Sequence, residues 1–183
     1  MNSQSDKNLS HDSLNELITD IEQSHHVFTR TELNRIADLL DDIKLKSLPI
    51  AHKFEHYFME LQADLLPHLM KEEHILFPYI RELEKDPKHL PGSCFGSVSN
   101  PIRMMKTEHV NVMYLLEKLR ELTANYTPTP DTDADVSALY SAMARLDADL
   151  EEHIRREDSV LFPRAIQLES EMTAQTEAIS ADA

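Results

Sequence analysis

The chain has 183 residues, of which 18 are basic and 33 are acidic, so its formal net charge is −15 at pH 7. This charge argues against a nucleic-acid partner or an anionic membrane surface, because most of the molecule would repel phosphate groups. The single cysteine, Cys94, excludes an internal disulfide, and no apolar run suits a transmembrane helix or a signal peptide. We therefore expect a soluble, cytoplasmic protein.

The composition favours helices over sheet, because the chain has two glycines, no tryptophan and many Leu, Ala, Glu, Lys and Met residues. We predict one all-α domain over residues 12–171, between disordered, polar tails at 1–11 and 172–183. Asp12 or Ser13 is the expected N-cap of the first helix, and Pro49 and Pro101 suit first-turn positions. The four predicted helices cover about 12–46, 49–84, 101–124 and 133–168.

The second and fourth predicted helices carry the same motif, a histidine followed four residues later by a glutamate and then by Leu-Phe-Pro. The pairs are His68 with Glu72 and His153 with Glu157. Four residues turn an α-helix by about 400°, so each imidazole lies above its carboxylate on one face. That face is otherwise apolar in both helices. The predicted stripes are Phe54, Phe58, Leu61, Leu65, His68, Glu72, Ile75 and Tyr79, and Leu139, Met143, Leu146, Leu150, His153, Glu157, Val160 and Arg164. Because a buried carboxylate needs a cation or a proton, each pair predicts half of a metal site.

The third and first helices add further histidines. The third places His109 in a stripe with Ile102, Met105, Val112, Leu116 and Leu119. In the first helix, the upstream stripe of Leu14, Ile18 and Ile21 leads to His25. The downstream stripe of Leu33, Ile36, Leu40 and Ile43 leads back through Thr29 to His26. Periodicity alone leaves the choice between His25 and His26 open.

Other polar residues near these motifs have simpler interpretations. Glu73 and Asp158 stand about 140° around the helix from their histidines, against about 40° for Glu72 and Glu157, and are predicted to lie on a solvated face. The remaining histidines fall off the stripes or in loops and are read as non-ligands: His11, His52, His56, His74 and His89. Met105, Met113 and Met143 are read as core filler.

Four imidazoles and two carboxylates suit iron or manganese better than a tetrahedral structural zinc site. If both glutamates bridge, each metal has about four protein donors of about six, leaving positions for an oxo or hydroxo bridge and an exogenous ligand. The sequence therefore predicts a buried two-metal centre in an antiparallel four-helix bundle.

These motifs resemble the hemerythrin-like proteins and, within them, the repair-of-iron-centres (RIC) family. The resemblance covers about residues 14–165 and rests on the two segments ending in Leu-Phe-Pro, on Glu108-His109 and on His26 with Arg30 four residues later. It implies two non-haem iron ions, oxo- or hydroxo-bridged, with His26 preferred over His25. The implied ligands are His26, His68, Glu72, His109, His153 and Glu157. It also implies that two acids, Asp64 and Glu108, lie near the centre as candidates for an iron path.

The function implied by the resemblance is repair of iron–sulfur clusters damaged by nitrosative or oxidative stress, through iron donation or nitric oxide chemistry at the di-iron centre. The expected partners are damaged iron–sulfur proteins and the gases NO and O2. The main alternative is a hemerythrin-like protein that binds or senses oxygen or nitric oxide without repair. Reversible oxygen carriage is disfavoured, because oxygen carriers usually place two histidines one turn apart on the third helix, where Met105 and Met113 flank His109.

Two other classes fit less well. Di-iron oxidases typically use Glu-x-x-His pairs, which these stripes lack, and a metal-free bundle would leave two glutamates buried without a cation. Many RIC proteins also begin with a small domain that carries adjacent cysteines, which this sequence lacks, and this departure counts against any activity that needs a thiol pair. The sequence leaves open the client protein, the electron donor, the oligomeric state and whether redox chemistry on nitric oxide makes the protein an enzyme.

Overall fold

The computed structural model of the protein describes residues 12–45, 50–86 and 89–181. Within these residues it contains four long helices and no strand: α1 (14–45), α2 (51–85), α3 (99–123) and α4 (134–181). Helix α1 packs mainly on α4, and α2 mainly on α3. The four helices form an antiparallel bundle, so the prediction of an all-α bundle is confirmed. The predicted N-terminal tail, His11 and Pro49 lie outside the described residues.

Three of the four helices contain one π-helical turn. These turns are Ile21–His26 in α1, Glu72–Leu76 in α2 and Glu157–Leu161 in α4. In α2 and α4 the turn is followed by Phe and Pro. The N–H of Phe77 bonds the carbonyl of Glu72, and the N–H of Phe162 bonds that of Glu157, each five residues back. The proline that follows has no N–H to donate and crowds the carbonyl four residues earlier, so the Leu-Phe-Pro motif favours a wider turn.

Capping residues define where α1 and α4 begin. Ser13 caps α1 in a capping box with Glu16, which resolves the choice between Asp12 and Ser13. Asp133 caps α4 through its carboxylate, which accepts from the N–H of Asp135. Glu84, near the end of α2, accepts the N–H of Leu14 at 2.7 Å. This last bond ties the start of α1 to the end of α2.

Apolar side chains form two separate cores along the bundle. The large core includes buried residues over 33–43 of α1, 51–65 of α2, 112–119 of α3 and 136–150 of α4. The small core includes buried residues over 14–21, 76–83, 98–105 and 161–172. His26, the pair His68 and Glu72, His109 and the pair His153 and Glu157 lie between these cores, one set in each helix. A polar layer therefore separates two hydrophobic regions.

Helix α4 is longer than the sequence predicts. It runs to Ala181, through most of the segment predicted to be a disordered tail. Met172 is 3% exposed in the small core, and Glu169 accepts from the Tyr79 hydroxyl at 2.7 Å and the Val98 N–H at 2.9 Å. These contacts extend the packed part of the helix, so the predicted tail at 172–183 is corrected to helix as far as Ala181. The domain limits of 12–171 otherwise stay a prediction.

Across the described part of the chain, none of the helices combines the length and the apolar character needed to cross a membrane.

Candidate metal centre

The six residues predicted as ligands converge in the polar layer between the two cores. Each is buried, with at most 2% of its surface exposed. They form two overlapping groups that share both carboxylates and could each hold a metal ion: His26, His153, Glu72 and Glu157, and His68, His109, Glu72 and Glu157. The donor atoms within each group all lie within 4.8 Å of one another. The two groups define two candidate metal positions, which we call position 1 (His26 and His153) and position 2 (His68 and His109).

Each glutamate presents one oxygen to each position. Glu72 Oε2 lies 3.4 Å from His26 Nε2, while its Oε1 lies 3.4 Å from His68 Nε2. Glu157 Oε1 lies 3.0 Å from His153 Nε2, while its Oε2 lies 3.2 Å from His109 Nε2. All four imidazoles therefore direct Nε2 inward, and both carboxylates have the orientation of bridging ligands.

The inner atoms of this cluster are poorly satisfied by the protein itself. Both oxygens of Glu72, one oxygen of Glu157 and His26 Nε2 are buried without a hydrogen-bond partner among the described residues. Burial and the neighbouring charge of Glu157 raise the pKa of Glu72 well above its usual value. Burial also lowers the pKa of His26 and of His68 to about 4, which keeps both imidazoles neutral. Neutral imidazoles around unpaired carboxylate oxygens are a donor set that fits divalent cations.

The pKa values of His109 and Glu157 shift in the opposite sense. Burial opposes the charged form of His109, but the hydrogen bonds that its ring donates to Asp158 and Glu157 raise the pKa of His109 to about 9. Burial likewise opposes ionisation of Glu157, yet His153 and His109 lower its pKa below the ordinary range. A protonated His109 would therefore partly balance the charge of Glu157 when no metal is bound.

Glu73 is not on a solvated face, contrary to the prediction. Its Oε1 lies 2.8 Å from His26 Nδ1, and Arg30 donates to both of its oxygens at 2.8 and 2.9 Å. Although partial burial opposes it, the Arg30 and His26 hydrogen bonds lower the pKa of Glu73. A π turn holds more residues per turn than an α turn, so the 140° estimated for a regular helix does not apply beyond Glu72. Glu73 therefore fixes the Nδ1–H tautomer of His26 and leaves Nε2 free for a metal.

Asp158 and Glu108 occupy similar positions on other imidazoles. Asp158 Oδ1 lies 3.3 Å from His109 Nδ1, although its side chain remains 34% exposed, so its predicted solvated position is only partly right. Glu108 Oε2 lies 2.9 Å from His68 Nδ1, and its other oxygen pairs with Lys71. The second candidate acid, Asp64, is exposed and accepts a hydrogen bond from Asn111. Among the described residues it makes no hydrogen bond to the six predicted ligands.

The fourth imidazole, His153, has a different environment. Its Nδ1 has no hydrogen-bond partner among the described residues. Instead, the ring of His25 stacks on the ring of His153, with centroids 5.5 Å apart and planes 12° apart. His25 Nδ1 in turn lies 2.8 Å from Asp149 Oδ1. His26, and not His25, thus faces the two glutamates, while His25 packs behind His153.

Phenylalanines of the two Leu-Phe-Pro segments complete the walls of the cluster. Phe77 stacks on His26 with a centroid distance of 5.7 Å, and Phe162 stacks on His109 at 6.0 Å. In each case the ring comes from the partner helix of the same hairpin. These contacts limit the orientations of the imidazoles and surround the polar layer with apolar surface.

The predicted stripes are correct up to the π turns, and of the positions predicted beyond those turns only Tyr79 is buried. Ile75, predicted to be buried, is 47% exposed, whereas Leu76 is 1% exposed. In α4, Leu161 and Phe162 are fully buried, while the predicted Val160 and Arg164 are only partly buried. One additional residue per π turn explains a phase shift of this size. The histidines His52, His56, His74 and His89 are exposed and lie outside the cluster, as predicted.

Sequence comparisons identify relatives of the chain. Residues 17–165 match the family described as "Hemerythrin HHE cation binding domain". The chain is 31% identical over 157 residues to the "Iron-sulfur cluster repair protein YtfE" of Enterobacter sp. (strain 638), an alignment covering 84% of this chain and 67% of that protein. It is 37% identical over 110 residues to the protein of that name from Escherichia coli O1:K1, covering 60% of this chain and 46% of the relative.

The chain thus spans about two thirds of the first relative and about half of the second. The family match extends over most of the described bundle and includes all six residues of the cluster. On these grounds, the protein belongs to the hemerythrin HHE family of cation-binding four-helix bundles.

Proposed function

We propose that the protein binds two iron ions in the polar layer of the bundle. The proposed ligands are His26, His68, Glu72, His109, His153 and Glu157. The observation that carries the proposal is that each buried glutamate turns one oxygen toward each pair of imidazoles. A purely structural zinc site would need four donors around one ion, whereas this donor set serves two ions and leaves each one coordinatively open.

Bound ferrous iron would supply open coordination positions for a small molecule such as nitric oxide or oxygen, together with one-electron redox chemistry. The protein residues provide the surroundings. Glu72 and Glu157 would neutralise the two cations in a dry layer. Glu73, Glu108 and Asp158 would accept the Nδ1–H of three of the imidazoles, which orients each Nε2 lone pair toward the centre.

We further propose that the protein acts in the cytoplasm to restore iron–sulfur clusters damaged by nitrosative or oxidative stress. Iron donation, nitric oxide chemistry or both would take place at the di-iron centre, and damaged iron–sulfur proteins would be the partners. The names of the two relatives support this proposal, as does Glu108. Its carboxylate contacts His68 through one oxygen and Lys71 through the other, and its side chain is 27% exposed, so it would offer a departing iron ion its first oxygen ligand outside the cluster. Asp64, on the surface, would be the next.

The metal proposal is tested by metal analysis and Mössbauer spectroscopy of the purified protein. We expect about two irons per chain after anaerobic reconstitution, in a spectrum typical of carboxylate-bridged ferrous or ferric pairs. A single zinc ion, or no bound metal after reconstitution, would overturn the proposal.

The repair proposal is tested with an iron–sulfur enzyme inactivated by nitric oxide. The reduced protein should restore its activity under anaerobic conditions, faster than an equal amount of free ferrous iron. Glu108→Leu should slow the restoration while leaving the initial iron content nearly unchanged. Glu121→Leu, which removes an exposed acid further along the same helix, is the matched control. If the wild type binds nitric oxide but restores no more activity than free iron, the protein is better described as a sensor or scavenger.

A further inference from the structure

The outer acid of position 1 is held by a rigid cation. Glu73 accepts from His26 Nδ1 at 2.8 Å, and Arg30 donates to both of its oxygens at 2.8 and 2.9 Å. Two parallel bonds from a planar guanidinium fix the orientation of a carboxylate as well as its place. Glu73 therefore has little freedom to leave the His26 ring, which also stacks on Phe77. The His26 imidazole is thus held on both sides.

The outer acid of position 2 is held by a more flexible cation. Glu108 Oε2 accepts from His68 Nδ1 at 2.9 Å, and its Oε1 pairs with the ammonium of Lys71. An ammonium ends a flexible four-carbon stem and here bonds one oxygen, whereas the guanidinium holds two. The side chain of Lys71 is 33% exposed, so its ammonium can turn toward water without crossing the core. Glu108 is thus held at one oxygen by a group that can leave it.

The groups behind the imidazoles are also more exposed at position 2. Glu108 and Asp158 lie behind its two imidazoles, and their side chains are 27% and 34% exposed. At position 1, the Glu73 side chain is 21% exposed, and the ring stacked behind His153 is that of His25, which is 6% exposed. Solvent therefore reaches the outer side of position 2 more readily than that of position 1.

Lys71 and a departing iron ion would compete for the same oxygen. The proposed function makes Glu108 the first oxygen ligand outside the cluster, but Lys71 already occupies its Oε1. Both groups are cations, so a ferrous ion would gain this oxygen only after the ammonium has moved away. While the ammonium stays, it also keeps Glu108 against His68, which keeps that imidazole oriented toward the metal. One contact would therefore block the exit and support a ligand.

We propose that Lys71 is a positioning residue that retains iron at position 2, and that iron at this position leaves the centre before iron at position 1. The inference rests on the proposed function, because it concerns the order and control of iron release from the same centre. Lys71 acts through Glu108 and His68 and does not itself touch the metal. Movement of one partly exposed side chain then makes one iron available, while Arg30 keeps the other in place.

The test is the release of iron to ferrozine, a chelator that becomes coloured on binding ferrous iron, from protein loaded with two ferrous ions under anaerobic conditions. We expect two phases of about one iron per chain each, the first roughly tenfold faster than the second. Lys71→Met keeps the apolar stem and removes the ammonium. It should accelerate the first phase roughly two- to fivefold, as expected for a partly exposed ion pair, and leave the second unchanged. Lys71→Arg restores a cation and should return the first phase to the wild-type rate or below it.

Two matched variants separate the positions. Arg30→Met removes the cation that holds Glu73 and should accelerate only the second phase. Lys118→Met is the control, because Lys118 pairs with Glu121 at 2.7 Å further along α3, and its loss should change neither phase. In the metal-free protein, Lys71→Met should shift the unfolding midpoint by less than about 2 °C, because the ion pair that it removes is partly exposed.

Several results would overturn the inference. Release of both irons at one rate would do so, as would an unchanged or slower first phase in Lys71→Met. Acceleration of both phases together with a lower unfolding midpoint would mean that Lys71 only stabilises the fold. The reverse assignment, in which Arg30→Met acts on the first phase and Lys71→Met on the second, would also contradict it. Failure of the wild type to load two irons would instead overturn the proposed function, and this inference with it.

Discussion

The first hairpin, α1 with α2, and the second hairpin, α3 with α4, supply corresponding residues to one centre in different surroundings. His26 corresponds to His109, Glu72 to Glu157 and Phe77 to Phe162 by their places in the motifs. The supporting charges differ, however. Glu73 is held on both oxygens by Arg30, whereas its counterpart Asp158 is 3.9 Å from the nearest lysine amine, that of Lys106. The comparison teaches that a repeated ligand motif does not make the two halves equivalent.

The largest effects should follow removal of either bridging glutamate. Glu72→Ala and Glu157→Ala should each weaken metal binding by more than the 10–100-fold typical for loss of an outer partner. Without metal, the two variants should differ in stability. Glu157 contacts His109 and His153, so its loss should cost roughly 3 kcal/mol of stability, whereas Glu72 has unsatisfied oxygens and its loss should cost less. Metal titration and urea unfolding measure the two quantities. Equal losses of stability would contradict the difference between the hairpins.

The next largest difference between the two hairpins should be in the pKa values of their histidines. In the metal-free protein the pKa of His26 and of His68 is about 4, so only the unfolded state takes up these protons between about pH 6.5 and 4. As the pH falls from about 6.5 to 4, the free energy of unfolding should therefore decrease by up to roughly 3 kcal/mol for each histidine. His109 has a pKa of about 9, so its protonated form stabilises the folded state. This contribution to the free energy of unfolding should be lost as the pH rises from about 6.5 to 9. Histidine NMR titration with a chelator present would measure each pKa, and a neutral His109 at pH 7 would contradict this assignment.

Removal of the outer acids should give smaller, unequal effects. Glu73→Ala leaves Arg30 and His26 without their shared partner, so we expect a loss of about 2 kcal/mol and roughly tenfold weaker metal binding. Asp158→Ala should cost less than about 1 kcal/mol, because this acid is more exposed and its hydrogen bond to His109 is longer. Denaturant unfolding and competition with a chelator provide the measurements. A larger loss of stability or of metal affinity in Asp158→Ala than in Glu73→Ala would contradict this difference between the hairpins.

The smallest effects should come from the two phenylalanines, and here the halves should agree. Both rings are fully buried and stack on corresponding histidines. Phe77→Leu and Phe162→Leu should each cost about 1 kcal/mol with little change in iron content. A difference above about 1 kcal/mol between them in thermal unfolding would show that packing, as well as charge, distinguishes the hairpins.

Much of the fold and of the site was predictable from periodicity. The stripes of α3 and the upstream stripes of α2 and α4 were right because regular α-helix keeps its phase. The predictions that Ile75 is buried and that Glu73 faces solvent were wrong, because a π turn changes that phase. Hydrophobic periodicity assumes a constant number of residues per turn. The signal was present in α1, where the upstream stripe leads to His25 and the downstream stripe to His26. A mismatch of one residue is what a π turn between them produces.

Partnerships between helices were beyond the sequence. No spacing along the chain indicates that Asp149 would contact His25, or that Glu108 would contact His68, because those pairs depend on how helices pack side by side. The long end of α4 was missed for a related reason. Its composition is that of a polar tail, but Met172 and Glu169 find partners on other elements. Tertiary contacts of this kind override local composition.

The separation of the two cores has a consequence for cooperativity. Because a polar layer divides the apolar contacts of all four helices, the bundle consists of two hydrophobic blocks joined mainly by continuous backbone and by the groups of the centre. With cations in that layer, the blocks are crosslinked and should exchange their amide hydrogens as one unit. Without them, we expect the block nearer the start of α1 to open in hydrogen exchange while the other stays folded. Release of the metal would then be coupled to local loosening of one end of the molecule, and binding of the metal to its closure.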